Sequence, residues 1–595
     1  MRKLLFSILF ALPILLAAGT GELRIGDFGA KGDGVADDGG AFAKAFAALK
    51  AAPGAKLLLP PGTYRIGSGA VKHYHERYHQ IVRGLENNTV EGQNASIVFT
   101  DPDHGGFLFR DCRNLTLRGL TFDWDPLPFT QGEITAVGAD NPRTFTMRIE
   151  PGYPDADNKN FKNFAPEGKF MIGFVYDPAT RRLFSAKLFN NHKAVDRVER
   201  LEPGLFRITL SPKFSPDGIE KGRLFVLVSR NPSNGIVFDN CEKPTVENVT
   251  MHSSSHIGMV FRNGTAAPVV KQVKLIRKPG STRMLCTNAD GLFFDGCAGG
   301  PTVENCRLDG VMDDGIVLPV NSRQALEKID DTTFKIRCTW ATPIRPGNRL
   351  EAIDDQGKRI GPFPPVAAVS QDRVEEIAGK KQHFETIRFS APPAGLAPGM
   401  QLFNLDMAND GFTVRNNTVE NLRGKGIKIH GTGGIAENNR ISGTTFGGIE
   451  IGYQIANRIW TFMWADHIIV RNNVIDHAAT LGLIQPTPVG WATAIRVHQG
   501  PDDFRFRPNR NISIEGNTIS DSGQSAIRAW ATENLKITGN RIGSYNRMNF
   551  PSDTMAIELV NVGNATVTDN TLSSPVPIRY GTDSDHVTVE RNPVK

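Results

Sequence analysis

The sequence predicts an all-β chain wound as a parallel β-helix, a solenoid, with a short helical cap and two small β domains inserted between rungs. The first observation is a repeat. An apolar residue, two variable residues, Asn, one variable residue and Ile, Val or Leu recur as VRNNTV ending at Val419, AENNRI at Ile441 and VRNNVI at Ile475. The pattern continues as IEGNTI at Ile519, ITGNRI at Ile542 and VTDNTL at Leu572. Earlier copies, LRGLTF, VENVTM and VENCRL, put another residue in the Asn place. The second observation is that each unit holds two short alternating strands and a turn, with no helical periodicity. Such a unit cannot bury its apolar face alone, whereas stacked copies can, and short strands joined by turns in this way favour a solenoid over a sandwich. The recurring Asn is expected at a tight bend, where left-handed backbone is tolerated, with Asn side chains hydrogen-bonding along the axis. The third observation is that two stretches break the repeat.

The elements follow in chain order. Residues 1–19 read as a signal peptide: Met1-Arg2-Lys3 is basic, an apolar run of 15 residues follows, and Ala17, Ala18 and Gly19 are small. That run is short for a membrane span, so the expectation is export, to a secreted or periplasmic location, with no span in the mature chain. Residues 20–126 form the cap and first rungs, with ADDGGAFAKAFAALKAA as a short amphipathic helix. Residues 127–232 carry GEITAV, TFTMRI, LFRITL and RLFVLV and read as an inserted antiparallel β domain. The repeat resumes over 233–320. Residues 321–406 carry TFKIRCTW, RLEAID, ETIRFS and MQLFNL and read as a second insert. The C-terminal rungs run over 407–595.

Composition excludes several classes. The formal charge is +6, too small and scattered for nucleic acid. The six Cys make no disulfide framework in a chain this long; buried thiols are expected, with a Cys297–Cys306 bridge as the alternative. No phosphate-binding Gly loop, serine-hydrolase elbow or zinc-protease helix is present, and no cofactor is expected.

Asp290-Gly291 and Asp313-Asp314-Gly315 carry the chemistry. Asp290 precedes the other two acids by 23 and 24 residues, about one rung. Residues one rung apart in a β-helix lie about 4.8 Å apart, so the three carboxylates should share a patch. Adjacent residues on a strand face opposite ways, so both Asp313 and Asp314 reach the patch only if the chain bends, which Gly315 permits. Like charges this close push one carboxyl up and leave another ionised, the split that a general acid and base require. Asp-Gly is also a common turn signal and recurs at 33, 217, 295, 309 and 410. The Asn-x-Asp-Gly followed one rung later by Asp-Asp-Gly is more specific than any of those.

These residues resemble known families. The start, IGDFGAKGDGVADDGGAFAKAFAAL with LLLPPGTYRI, is similar to the entry segment of pectin-active β-helix proteins. The Asn-x-Asp and Asp-Asp pair is similar to glycoside hydrolase family 28, the polygalacturonases. The closer resemblance is to family 110, the exo-acting α-1,3-galactosidases. It is carried by LTLRGLTFDWDPLPFTQGEI, by MHSSSHIGMVF followed by NADGLFF and MDDGIVL, by RGKGIKIHGTGGIAENNRI, and by GGIEIGYQIANRIWTFMWADHIIVRNNVI. It covers roughly residues 22–545. It implies a right-handed β-helix with two inserted β-barrels, and inverting hydrolysis that releases α-linked galactose from a polysaccharide or oligosaccharide. It also implies Asp313 as general acid, with Asp290 and Asp314 holding the water. An inverting pair ordinarily stands roughly 6.5–9.5 Å apart.

Lys425, Lys428 and His430 lie on the rung after the second insert; Lys428 and His430 share a face and are candidate sugar contacts. Glu450 follows Lys428 by 22 residues and could join that patch. His256 precedes Asp290 by more than one rung and is a further candidate. Trp460, Trp464, Trp491 and Trp530 are candidates for a cleft wall, each equally explained by packing; Trp124 reads as a structural joint. His73, His75 and His79 lack a completing carboxylate or Cys, so an exposed polar segment is expected and no metal site. Two other functions stay open. A polysaccharide lyase would use Lys425 or Lys428 at a uronate, with Ca²⁺ on the Asp cluster; a non-catalytic glycan-binding solenoid would use the Asp-Gly turns only as turns.

Overall fold

The structure, a computed structural model, describes residues 21–594 except 69–76, 159–171, 185–194, 213–215, 217, 229, 231–232, 339–342, 371–372, 378–379, 457–458, 481–492, 500–504, 548–554 and 574–577. The signal segment, His73, His75 and Trp491 lie outside the described residues. A single sheet of 36 strands winds through the chain. Its rungs pair in parallel and in register, so like residues stack. One interior column reads Val246, Val270, Val303, Val414, Ala436, Val470, Ile514, Ile537 and Val567. A second reads Met251, Leu275, Leu308, Val419, Ile441, Ile475, Ile519, Ile542 and Leu572. From Val414 onward these are the first and last residues of the repeat, and all are buried.

Between those columns the recurring Asn residues stand at a corner. Asn417, Asn439, Asn473, Asn517, Asn540, Asn570 and Asn592 form a ladder: each offers its side-chain oxygen to the backbone N–H and the side-chain amide of the Asn before it, at 2.9–3.0 Å. The left-handed bend falls one residue earlier than expected, at Asn416, Asn438 and Asn472, at Gly516 and Gly539, and at Asp569. That residue turns the chain so that the next side chain points along the axis instead of outward. Cys306 begins the column, its N–H donating to Asn417 Oδ1. The five cysteines described are free and buried, as expected, and the alternative Cys297–Cys306 bridge is not formed.

At the N-terminal end, helix Gly39–Ala51 buries Phe42, Phe46 and Leu49, and Phe46 meets Phe107 and Phe109 edge-on. Between Phe129 and Val228 lies a separate six-stranded antiparallel sheet, and between Arg323 and Asn404 an eight-stranded one. Among the described residues the end strands of the first sheet, Ile172–Tyr176 and Val195–Glu202, do not pair with each other. The pairings therefore describe an open order where the resemblance implied a closed barrel. Trp124 is buried at the joint, its Nε1 donating to His104 O. Trp464 and Trp530 are buried in packing. His79, expected in an exposed segment, is buried; its Nδ1 meets Gly105 O and its Nε2 accepts from Asp101 N–H, so both ring nitrogens are used.

Candidate active site

The two acidic turns lie on neighbouring rungs. Gly291 N–H donates to Asp314 O and Gly315 N–H to Lys425 O, so Asp290, Asp314 and Lys425 stack in one column. Side-chain oxygens of Asp290, Asp313 and Asp314 lie within 4.8 Å of one another. Gly315 has a different role from the one expected. It is absent from the positive-φ glycines; instead a Cβ on it would come 2.6 Å from Gly426 O, and one on Gly291 would come 2.6 Å from Gly315 O. These glycines let the rungs approach closely under the acids.

Asp290 Oδ1 accepts the Asp314 N–H at 3.1 Å, and Asp314 Oδ1 accepts the Lys425 N–H at 2.8 Å. Lys428 Nζ stands 3.5 Å from Asp314 and donates to Gln454 Oε1 at 2.8 Å. Asp313 Oδ2 receives Arg230 Nη2 at 2.6 Å and faces Arg423 Nη1 at 3.2 Å. Asp313 keeps 25% of its side-chain surface exposed against 12% for Asp314, so Asp313 is the more accessible of the adjacent pair.

The three carboxyls are unequal. Burial, then the charges of Asp313 and Asp314, push Asp290 up to about 8. Burial opposes the charge of Asp313 too, but Arg230 and Arg423 overcome it and hold that carboxyl well below the usual range. The two directions diverge: Asp290 is the member of the cluster that favours a proton and Asp313 the one that favours ionisation. The oxygens would also accommodate a cation, but Arg230, Arg423 and Lys428 already supply three positive charges to them. The separation is tighter than the 6.5–9.5 Å ordinarily left for an inverting water, because neighbouring rungs set it.

The other sugar-contact candidates assemble beside the acids. Lys428 pairs with Glu450 in register. Glu450 meets Lys425 Nζ at 3.0 Å and is also bonded to Arg496; burial opposes its charge, but Arg496 and Lys425 hold it well below its ordinary value. His430 is buried, its Nδ1 against Gly452 O and its ring stacked on Phe462 at 4.7 Å. Burial and Lys428 push it down to about 3, so it is neutral. Lys428 Nζ lies 4.9 Å over the same Phe462 ring. His256 is one rung from Asp290, not more, because Met259–Arg262 pairs directly with Leu292–Asp295 across one long rung; its Nδ1 contacts Asn234 Oδ1 at 2.7 Å.

Four residues were not foreseen: Arg230, Arg423, Gln454 and Phe462. Arg230 leaves the first insert; Gln454 lies at the end of rung strand Gly447–Ala456, past a register shift, and Phe462 on strand Ile459–Phe462, which folds back antiparallel on that end. Only Arg423 carried a signal, standing two residues before Lys425 on the rung already singled out.

Comparison with known proteins agrees with this architecture. Residues 402–594 match the model of a right-handed β-helix region, and residues 23–82 that of the rhamnogalacturonase A/epimerase, pectate lyase-like family. The chain is 23% identical to alpha-1,3-galactosidase B of Bacteroides thetaiotaomicron, over 96% of this chain and 95% of that protein. It is 22% identical to alpha-1,3-galactosidase A of Shewanella woodyi, over 88% and 86%. Among solved structures, the family 28 exopolygalacturonase of Yersinia enterocolitica aligns over 97% of this chain and 80% of its own, with 13% identity and a TM-score of 0.46.

Proposed function

We propose that the protein is an exported glycosidase that releases α-linked galactose from a glycan with inversion. Full-length resemblance to two alpha-1,3-galactosidases supports a glycoside hydrolase. The observation that carries the site is the acid cluster: three carboxyls on adjacent rungs with oxygens within 4.8 Å of one another, Asp290 pushed up to about 8 and Asp313 held well below the usual range.

Asp313, more exposed than Asp314, stands at the leaving oxygen. The proton it delivers comes from Asp290, its neighbour. Asp290, then ionised, and Asp314 hold the attacking water and take its proton. The water sits to one side of the cluster, between those two acids, since the short spacing leaves no room for it between opposed carboxylates. Lys425, Lys428, His430 and Glu450 position the sugar, with the Phe462 face as its apolar wall; His256, one rung from Asp290, is a further contact on that side. The basic start and apolar run of residues 1–19 support export.

The test is galactose release from an α-1,3-galactoside by the wild type and by Asp313→Asn. A positioned general acid contributes about 10²–10⁴-fold, so the variant should lose at least 10²-fold in kcat. A variant as active as the wild type would show that Asp313 is not the donor.

A further inference from the structure

The first inserted sheet does more than decorate the solenoid. Its hydrophobic core takes in Met284 and Leu285, just before the first acidic turn, and Met312, just before the second. Asn288, within the first turn, donates from Nδ2 to Pro128 O at the entrance to the insert, at 2.9 Å. Arg230 stands at its exit, two residues beyond the last strand, Leu224–Val228. The Arg230 Nε donates to Asn288 O at 2.9 Å; its Nη2 lies 3.4 Å from Met312 O and 2.6 Å from Asp313 Oδ2. One planar guanidinium therefore bonds both acidic turns and one of the acids.

We infer that Arg230 is a positioning residue for the hydrolysis: it staples the two acidic turns in register and holds the Asp313 carboxylate in place, making the first insert part of the catalytic unit. This rests on the hydrolase reading above. Only a fork with donors on separate nitrogens spans the Asn288 carbonyl and the Asp313 carboxylate at once; a lysine ammonium supplies charge at one point. The groups facing Asp313 are Arg230 from the insert, Arg423 and Lys428 from the next rungs, and Asp290 and Asp314 from its own cluster.

The experiment compares Arg230→Ala and Arg230→Lys with Arg148→Ala, which removes an exposed pair with Glu202 on the same sheet. Misplacing a reacting group by about 1 Å costs about 10²-fold. Arg230→Ala should lose about that much kcat with KM within a few-fold, and the alkaline limb of its kcat/KM profile should move up by about one pH unit, because the guanidinium no longer holds the Asp290 and Asp313 carboxyls down. Added guanidinium should restore part of the rate. Arg230→Lys should return the alkaline limb but not kcat, and Arg148→Ala should match the wild type. An Arg230→Ala enzyme with wild-type kcat and alkaline limb overturns the inference while leaving the hydrolase reading intact. Were the wild type inactive on every α-galactoside, the hydrolase reading would fall, and hydrogen exchange would judge the staple. Amides of 286–291 and 312–315 should then exchange faster together in Arg230→Ala than in Arg148→Ala, and equal protection would overturn it.

Discussion

The Asn ladder and the acid cluster use the same geometry and reach opposite energetic results. In both, one side chain sits above another at the spacing of a rung. A neutral amide both donates and accepts, so each Asn satisfies the next and the column supports itself. A carboxylate only accepts, so stacking Asp290 on Asp314 creates repulsion that other residues must offset. Here the proton that Asp290 favours and the cations Arg230, Arg423 and Lys428 offset it. A solenoid thus stabilises itself by repeating neutral residues and builds chemistry by repeating charged ones.

The sharpest way to break this contrast is to neutralise one acid. Asp314→Asn should lower kcat by about 10²–10⁴-fold in a galactose-release assay, while leaving the fold intact by circular dichroism. Breaking the ladder should do the reverse. Asn517→Ala leaves Asn473 without its acceptor and should cost about 2–4 kcal/mol in denaturant unfolding, with kcat unchanged wherever the protein is folded. The proton predicts a pH dependence next. Activity needs one proton on the cluster, so kcat/KM should fall as pH rises through about 8, where Asp290 loses it.

The last prediction concerns stability. The folded-state value for Asp290 lies above its unfolded value of about 3.9. Its stabilising contribution is complete below the unfolded value and is lost as pH rises toward about 8. Asp290→Asn should therefore match the wild type near pH 3 and melt at a higher temperature near pH 9; the same melting temperatures at both would argue against a buried, proton-holding Asp290.

The sequence made legible whatever repeats at the rung period. The core columns were readable from the first and last positions of the VRNNTV-like units, and the Lys428–Glu450 pairing from a spacing of 22 residues. Asp290, Asp313 and Asp314 were readable because a one-rung spacing converts sequence distance into contact. Arg230 was not, because it belongs to the edge of an insert with no period, 83 residues before Asp313. Phe462 was hidden for the same reason, on a strand that folds back from the rung, and Gln454 because the register shifts before it. The position of the left-handed bend was misplaced by one residue because Asn-Asn pairs offer two candidates, and only the ladder identifies which Asn points along the axis. The glycine under the acids was identified, but the reason it is needed, backbone proximity between rungs, has no signature in one sequence.

The most direct test of the central claim is time-resolved proton NMR of the wild type acting on an α-1,3-galactoside. The account predicts that β-galactose appears first and α-galactose only later, by mutarotation. An initial α-anomer would contradict inversion, and an olefinic product signal would replace hydrolysis with elimination.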